Sequence, residues 1–137
     1  AEVPSAADAR PADPAGDGTA VCPPVSIAMA GALDGPDRPR GVDVKNGIQW
    51  AVDKHNAANA ASQEQLQPFD NAGDSVQADS VAREIVDDAF TVGLVGPASS
   101  DEAEAGGEVF SRAGLVTATP SAAATALSAR GWPTCVR

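Results

Sequence analysis

The sequence predicts an α/β fold, a three-layer, doubly wound and mostly parallel sheet, on three observations. Apolar runs of strand length alternate with stretches of helical period in the order strand, helix, strand, helix, strand, helix, strand. The connections between them are short, as crossover units in one sheet require. Aromatic residues make up only 4% of a chain that is 43% hydrophobic, so the core must be built from Val, Ile, Leu and Ala, with thin helices packed closely on the sheet.

Residues 1–23 are rich in Ala, Pro, Asp and Gly and carry neither a period of two nor one of 3.6. They cannot repay the entropy of ordering and are expected to form a disordered or extended tether before one domain over 24–137. Val25, Ile27 and Met29 alternate with small residues up to Gly31, a buried strand that the Leu33-Asp34-Gly35-Pro36 stretch breaks. Val44, Ile48, Ala51, Val52 and His55 then share one helical face. Leu66 to Phe69 is an apolar piece containing Pro68, which cannot donate to a ladder and so belongs on a sheet edge. Asp74 with Gln77 resembles a capping box, and Ala78, Val81, Ala82 and Ile85 continue as an amphipathic helix. Thr91 to Val95 is a strand stopped by Gly96-Pro97, and Ser99 with Glu102 opens a helix running toward Arg112 and ended by Gly114. Leu115 to Thr119 is the next strand. An Ala-rich helix over Ala122 to Ala129 and a last strand over Thr134 to Arg137 complete the set.

The charge excludes whole classes of partner. With 9 basic against 19 acidic residues the net charge is −10, and the basic side chains are scattered, so nucleic acid and anionic lipid are repelled. The longest strongly apolar run, Val25 to Leu33, is about half of what a bilayer span needs. No charged start with an apolar signal core precedes it, so the chain reads as a soluble, already processed protein. Two cysteines are too few for a disulfide scaffold. Cys22 and Cys135 either form one clasp across the domain, worth about 4 to 5 kcal/mol on the chain-entropy model, or are two unrelated thiols. A clasp would fit an oxidising compartment.

Ligands of doubly wound sheets bind beyond the carboxyl ends of the strands, which points to three loops: Gly31 to Gly41, Gly96 to Ser100, and Thr119 to Ala123.

Those loops also carry a resemblance that extends from Val25 to Arg137. Its pieces are the first strand with Leu33-Asp34-Gly35-Pro36, Asn46-Gly47 with Ala51-Val52-Asp53 and Asn56, and Asp70 and Asp74 before the second helix. Val95-Gly96-Pro97 with Ser99-Ser100 follows, then Ala113-Gly114-Leu115-Val116 leading to Thr119-Pro120-Ser121-Ala122, then Leu127, Arg130-Gly131-Trp132 and Val136-Arg137. In this order the chain resembles the first, N-terminal lobe of type I periplasmic binding proteins of the branched-chain-amino-acid-binding branch. The resemblance implies a Rossmann-like lobe of a two-lobe clamp that closes on a small molecule, with the chain crossing to the second lobe just after Val136-Arg137. The chain stops there, so a fragment without its second lobe, or a free-standing lobe, is expected. It further implies an extracytoplasmic solute-binding protein that takes an amino acid or related small polar solute and works with an ABC transporter permease or a receptor membrane domain.

In that family the loop matching Ser99-Ser100 and the loop matching Ser121, Ala122 and Ala123 hold the carboxylate and amine of an amino acid. Ser100 would sit at a helix N-terminus, where free N–H groups and the dipole favour an anion; the alternative is that both serines only cap the helix. Ala123 stands where amino-acid-binding members usually carry Thr, which removes one hydrogen-bonding group and weakens the case for an α-amino acid. Arg40 occupies a first-loop position where an aromatic side chain often covers the ligand; its guanidinium either clamps an anion or is solvated. His55, Trp50 and Trp132 are expected to be structural.

The alternative function is the ligand-sensing ectodomain of a membrane receptor or kinase. A phosphoacceptor receiver needs clustered acids after the first strand, and a flavodoxin-like enzyme needs a Thr/Ser-Gly phosphate cradle there; neither is present. With one His and no Gly-x-Ser-x-Gly elbow, no enzyme, cofactor or metal site is expected. A lone lobe exposes the face its partner would cover, so self-association or very weak ligand binding is expected as well.

Overall fold

The computed structural model describes residues 18–136. Residues 1–17 of the expected tether, and Arg137, lie outside the described residues. Five strands form one all-parallel sheet in the order β2-β1-β3-β4-β5. They are β1 (Val25–Gly31), β2 (Glu64–Asp70), β3 (Thr91–Val95), β4 (Val116–Ala118) and β5 (Cys135–Val136). Three helices connect them: α1 (Arg38–Ala58), α2 (Ser75–Asp87) and α3 (Ser100–Ala113). Pro68 lies on the edge strand β2, where its missing N–H breaks no ladder.

Right-handed crossovers put α1 on one face of the sheet, against β1 and β2, and α2 and α3 together on the other. The main core lies on the second face. Ala28 and Ala30 of β1, Leu94 of β3, Ala82 and Ile85 of α2 and Phe110 of α3 are all buried there, joined by Phe69 of β2. Small side chains on β1 and α2 let the layers approach. Gly106 continues this economy, since a Cβ there would meet Ala82 at 3.2 Å. Gly107 beside it makes room for Trp132, whose ring would lie 2.2 Å from an added Cβ. Trp132 packs on a second cluster of Ala103, Ala122 and Leu127, as expected of a structural tryptophan.

The capping positions are read correctly, although the reciprocal box forms at Ser99 and not at Asp74, whose N–H donates to the Asn71 carbonyl. Asp74 accepts from the N–H groups of Val76 and Gln77, and Ser99 forms a reciprocal capping box with Glu102. Gly114 closes α3 in the left-handed conformation.

Four expectations are corrected. Helix α1 begins at Arg38, because Pro39 falls within its first turn, where a missing N–H costs nothing. Ala51 and Trp50 are exposed, Trp50 to 68%. Only a narrow stripe of α1 faces the sheet, and Trp50 is two residues from each of Ile48 and Val52, hence on the opposite side. The Lys54 ammonium covers its ring at 5.6 Å from the centroid. The Ala-rich stretch is no α-helix over Ala122 to Ala129; a 3₁₀ helix runs from Thr125 to Arg130 instead. Ala122 is buried and the Ala124 N–H donates to the Ser100 hydroxyl, which holds this loop out of helical register.

The fourth correction concerns the clasp. Both cysteines are free, Cys22 exposed and Cys135 half-buried. Cys22 precedes β1 and Cys135 lies on β5, three strand positions away, which is about 14 Å at the usual strand spacing. A disulfide spans a Cα separation below about 7 Å.

His55 is structural as expected: its Nε2 donates to the Ser62 carbonyl at 2.9 Å and faces Glu64 at 3.7 Å. Among the described residues no helix is long and apolar enough to cross a membrane.

Candidate functional site

The strand order reverses at β1. The chain goes outward from β1 to β2, then returns across β1 to β3 and continues to β4 and β5. The loops after β1 and β3 therefore part at their carboxyl ends and open the crevice that doubly wound sheets use for ligands, with the loop after β4 beside it.

The loop after β3 is drawn tight against the sheet. Gly96 has φ +120 and would place a Cβ 2.2 Å from the Ala30 carbonyl oxygen, so only glycine fits between β1 and β3 here. Its N–H donates to the Ala118 carbonyl of β4 at 2.8 Å. The cis Gly96–Pro97 peptide and buried Ala98 then lead to Ser99. The Ser99 hydroxyl accepts from the Glu102 N–H at 3.3 Å, and the Glu102 carboxylate accepts from the Ser99 N–H at 2.9 Å. Ser99 thus caps α3 with both its groups.

Ser100 and Ser121 join this loop to the one after β4. The Ser121 hydroxyl donates to the Ala98 carbonyl at 2.6 Å, and the Ala124 N–H donates to the Ser100 hydroxyl at 3.1 Å. Ser100 keeps its own O–H hydrogen free to donate. Beside it, the first N–H groups of α3 have no carbonyl within the helix to bond. Ala122 is buried and Ala123 is exposed, so neither adds a hydrogen-bonding side chain to the second loop, while Thr119 at its start is buried with its Oγ1 unpartnered. Of the six expected binding residues, the structure brings Ser99, Ser100, Ser121, Ala122 and Ala123 together.

Arg40 stands apart from them. It lies in the first turn of α1 and not on a loop, with its side chain exposed.

Two features escape the sequence reading. Asp70, at the end of β2, accepts from the N–H groups of Leu33 and Ala72 at 2.8 and 2.9 Å, fastening the loop after β1 to the edge of the crevice. Burial pushes its carboxyl up, but backbone donors at Ala72, Leu33 and Asp34 outweigh this and hold it below the usual carboxylate range. The Asp70-Asn71-Ala72-Gly73 turn composition was the signal available for it. Glu102 is the other: its side chain is only 2% exposed, and its Oε1 has no hydrogen-bond partner. Nothing in the sequence distinguishes a buried capping glutamate from a solvated one. Among the described residues, no group of His, Cys, Asp and Glu is placed to hold a metal ion.

No family model matches the chain. Individual relatives do. The Leu/Ile/Val-binding protein BraC3 of Rhizobium johnstonii is 34% identical over 115 residues, covering 82% of this chain and 31% of its own length. The Leu/Ile/Val-binding protein of Escherichia coli is 30% identical over the same share of each. The branched-chain amino acid transporter substrate-binding protein of Streptococcus pneumoniae, solved with isoleucine, superposes with a TM-score of 0.76 at 27% identity, over 82% of this chain and 33% of that one. By sequence the chain is a relative of Leu/Ile/Val-binding proteins, and by fold it matches one lobe of the α/β periplasmic binding proteins. A structure from Rhodospirillum rubrum assigned to a branched-chain amino acid ABC transporter gives a TM-score of 0.77 at 25% identity, over 82% of this chain and 33% of that one. This Leu/Ile/Val-binding-like lobe spans about a third of the length of the curated relatives it matches. Those relatives are substrate-binding transport proteins rather than enzymes.

Proposed function

We propose that this lobe is one half of a two-lobe clamp that binds a small polar solute, an amino acid or close relative, for uptake by an ABC transporter outside the cytoplasm. The observation that carries this is the joining of the β3 and β4 loops at the switch point, through Ser121 to Ala98 and Ala124 to Ser100, in a chain 34% identical to a Leu/Ile/Val-binding protein. Ser100 and the N-terminus of α3 take the ligand carboxylate, with Ser99 holding the helix start in place. The main chain of Ser121, Ala122 and Ala123 faces the ligand amine, more weakly than a loop with a hydroxyl at position 123. Arg40 serves at most at the rim. The protein catalyses no reaction, and its partners are the ligand and a membrane component, a permease or the membrane domain of a receptor.

Copies of this chain also associate. The β3–β4–β5 half of the sheet carries Val116 and Val136 at 57% and 61% exposure, on the face where α1 covers only β1 and β2. Parallel sheets are normally covered on both faces.

The test is a titration of the ¹⁵N-labelled chain with L-leucine and L-isoleucine, followed by amide shifts. Weak, saturable shifts at Ser99, Ser100 and residues 121–124 are expected. Saturable shifts confined to other parts of the lobe, or none at all, overturn the proposal.

A further inference from the structure

Glu102 occupies the third position of α3, beside the loop assigned to the ligand carboxylate. Its side chain is 2% exposed. One carboxylate oxygen accepts from the Ser99 N–H, while Oε1 is buried without a partner. The ion pairs among the described residues are His55–Glu64, Arg83–Asp79, Arg112–Glu108 and Arg130–Glu104, and Glu102 belongs to none of them. Burial by itself disfavours a charge here, whereas the Ser99 N–H and the start of α3 favour one; a negative charge so held would act on the loop with little screening from water and none from a cation. The N-terminal end of α3 offsets only about half a charge.

Capping alone does not require that charge. Gln serves the same position of a capping box as well as Glu does, since its amide oxygen accepts the same N–H. What Glu102 adds over Gln is negative potential at Ser99 and Ser100, where a ligand carboxylate would sit. Asp101 contributes the same sign from an exposed position, and is screened by water. Arg38 and Arg40, in the first turn of α1, are exposed and screened likewise.

We infer that Glu102 is a specificity-determining residue of the Ser99–Ser100 loop, set against ligands of net negative charge and in favour of zwitterionic or neutral polar ones. The inference rests on the clamp reading above and deepens it. An α-amino acid tolerates the glutamate because its ammonium compensates the potential that its carboxylate meets. The same carbon skeleton without the ammonium has nothing to offset it.

The test compares L-leucine with 4-methyl-2-oxopentanoate, its oxo-acid counterpart, on the wild-type chain and on Glu102→Gln. Affinities are read from amide shifts of Ser99, Ser100 and Ala124. Glu102→Gln is expected to raise affinity for the oxo acid by about three- to tenfold and that for leucine by less, moving the ratio toward the anion. Glu102→Asp keeps the charge but shortens the capping arm; it is expected to lower thermal stability and leave the ratio near wild type. An unchanged ratio in Glu102→Gln, with both ligands binding, overturns the role of Glu102 and leaves the clamp standing. A shift in Glu102→Asp as large as in Glu102→Gln marks a structural effect and overturns it too. Binding of neither ligand to any of the three chains overturns both readings.

Discussion

The hydroxyl of Ser121 donates to the carbonyl of Ala98 across 2.6 Å, and this bond fastens the loop after β4 to the loop after β3. Ala98 is buried, so its carbonyl has little access to water if the hydroxyl is removed. Ser121→Ala should therefore destabilise the chain by about 1 to 2 kcal/mol, more than an exposed serine would otherwise cost. Urea unfolding measures it. An unchanged midpoint would mean that water replaces the hydroxyl and that the loops are not held by this bond.

Asp70 ties the loop after β1 to the end of β2, and its carboxyl is held below the ordinary range by the backbone donors that outweigh burial. A depressed carboxylate contributes stability that is present above its unfolded pKa, near 4, and is lost as pH falls through the lower native value. Acid titration of stability should show this loss below about pH 4. Asp70→Asn should flatten that part of the profile and leave the neutral region with a smaller, pH-independent deficit. A profile equally steep in the variant would assign the acid loss to other carboxylates.

Gly107 and Trp132 share a space that an added methyl group would fill, with the indole 2.2 Å from the position of a Cβ. Gly107→Ala gains helix propensity of about 1 kcal/mol but must displace the ring, and overpacking costs about 1 to 3 kcal/mol. The net expectation is destabilisation, with a red shift of the Trp132 emission. Measuring in a Trp50→Phe background isolates that emission, because Trp50 is the only other tryptophan and is exposed. A variant that is more stable with unshifted emission would show that the ring yields without cost.

Val116 and Val136 leave apolar surface on β4 and β5. Val116→Thr with Val136→Thr keeps β-branched side chains on β4 and β5 while reducing that surface. Sedimentation velocity over a range of concentrations should show association in the wild type and less in the double variant. A wild type that stays monomeric throughout would remove self-association from the account.

The order of strands and helices, the edge position of β2 and the caps at Asp74, Ser99 and Gly114 were all legible in the sequence, because each is set by residues close together along the chain. Period, proline and capping chemistry act over a few residues. The loop cluster was legible too, since strand order in a doubly wound sheet dictates which carboxyl ends meet.

Distances between remote segments were decided only by the tertiary structure. Cys22 and Cys135 look like a matched pair at the two ends of the domain, yet three strand positions separate them. Trp50 looks like core, yet α1 offers the sheet only one stripe and Trp50 lies on its far side. Ser121 reads as a ligand group from the sequence, but the fold engages its hydroxyl with Ala98. Burial separates Glu102 from the other acidic residues of α3, and burial depends on what the rest of the chain packs over a residue. The sequence by itself determined which elements form and in what order; the packing of those elements decided which side chains meet, and hence which hydroxyls and charges remain for a ligand.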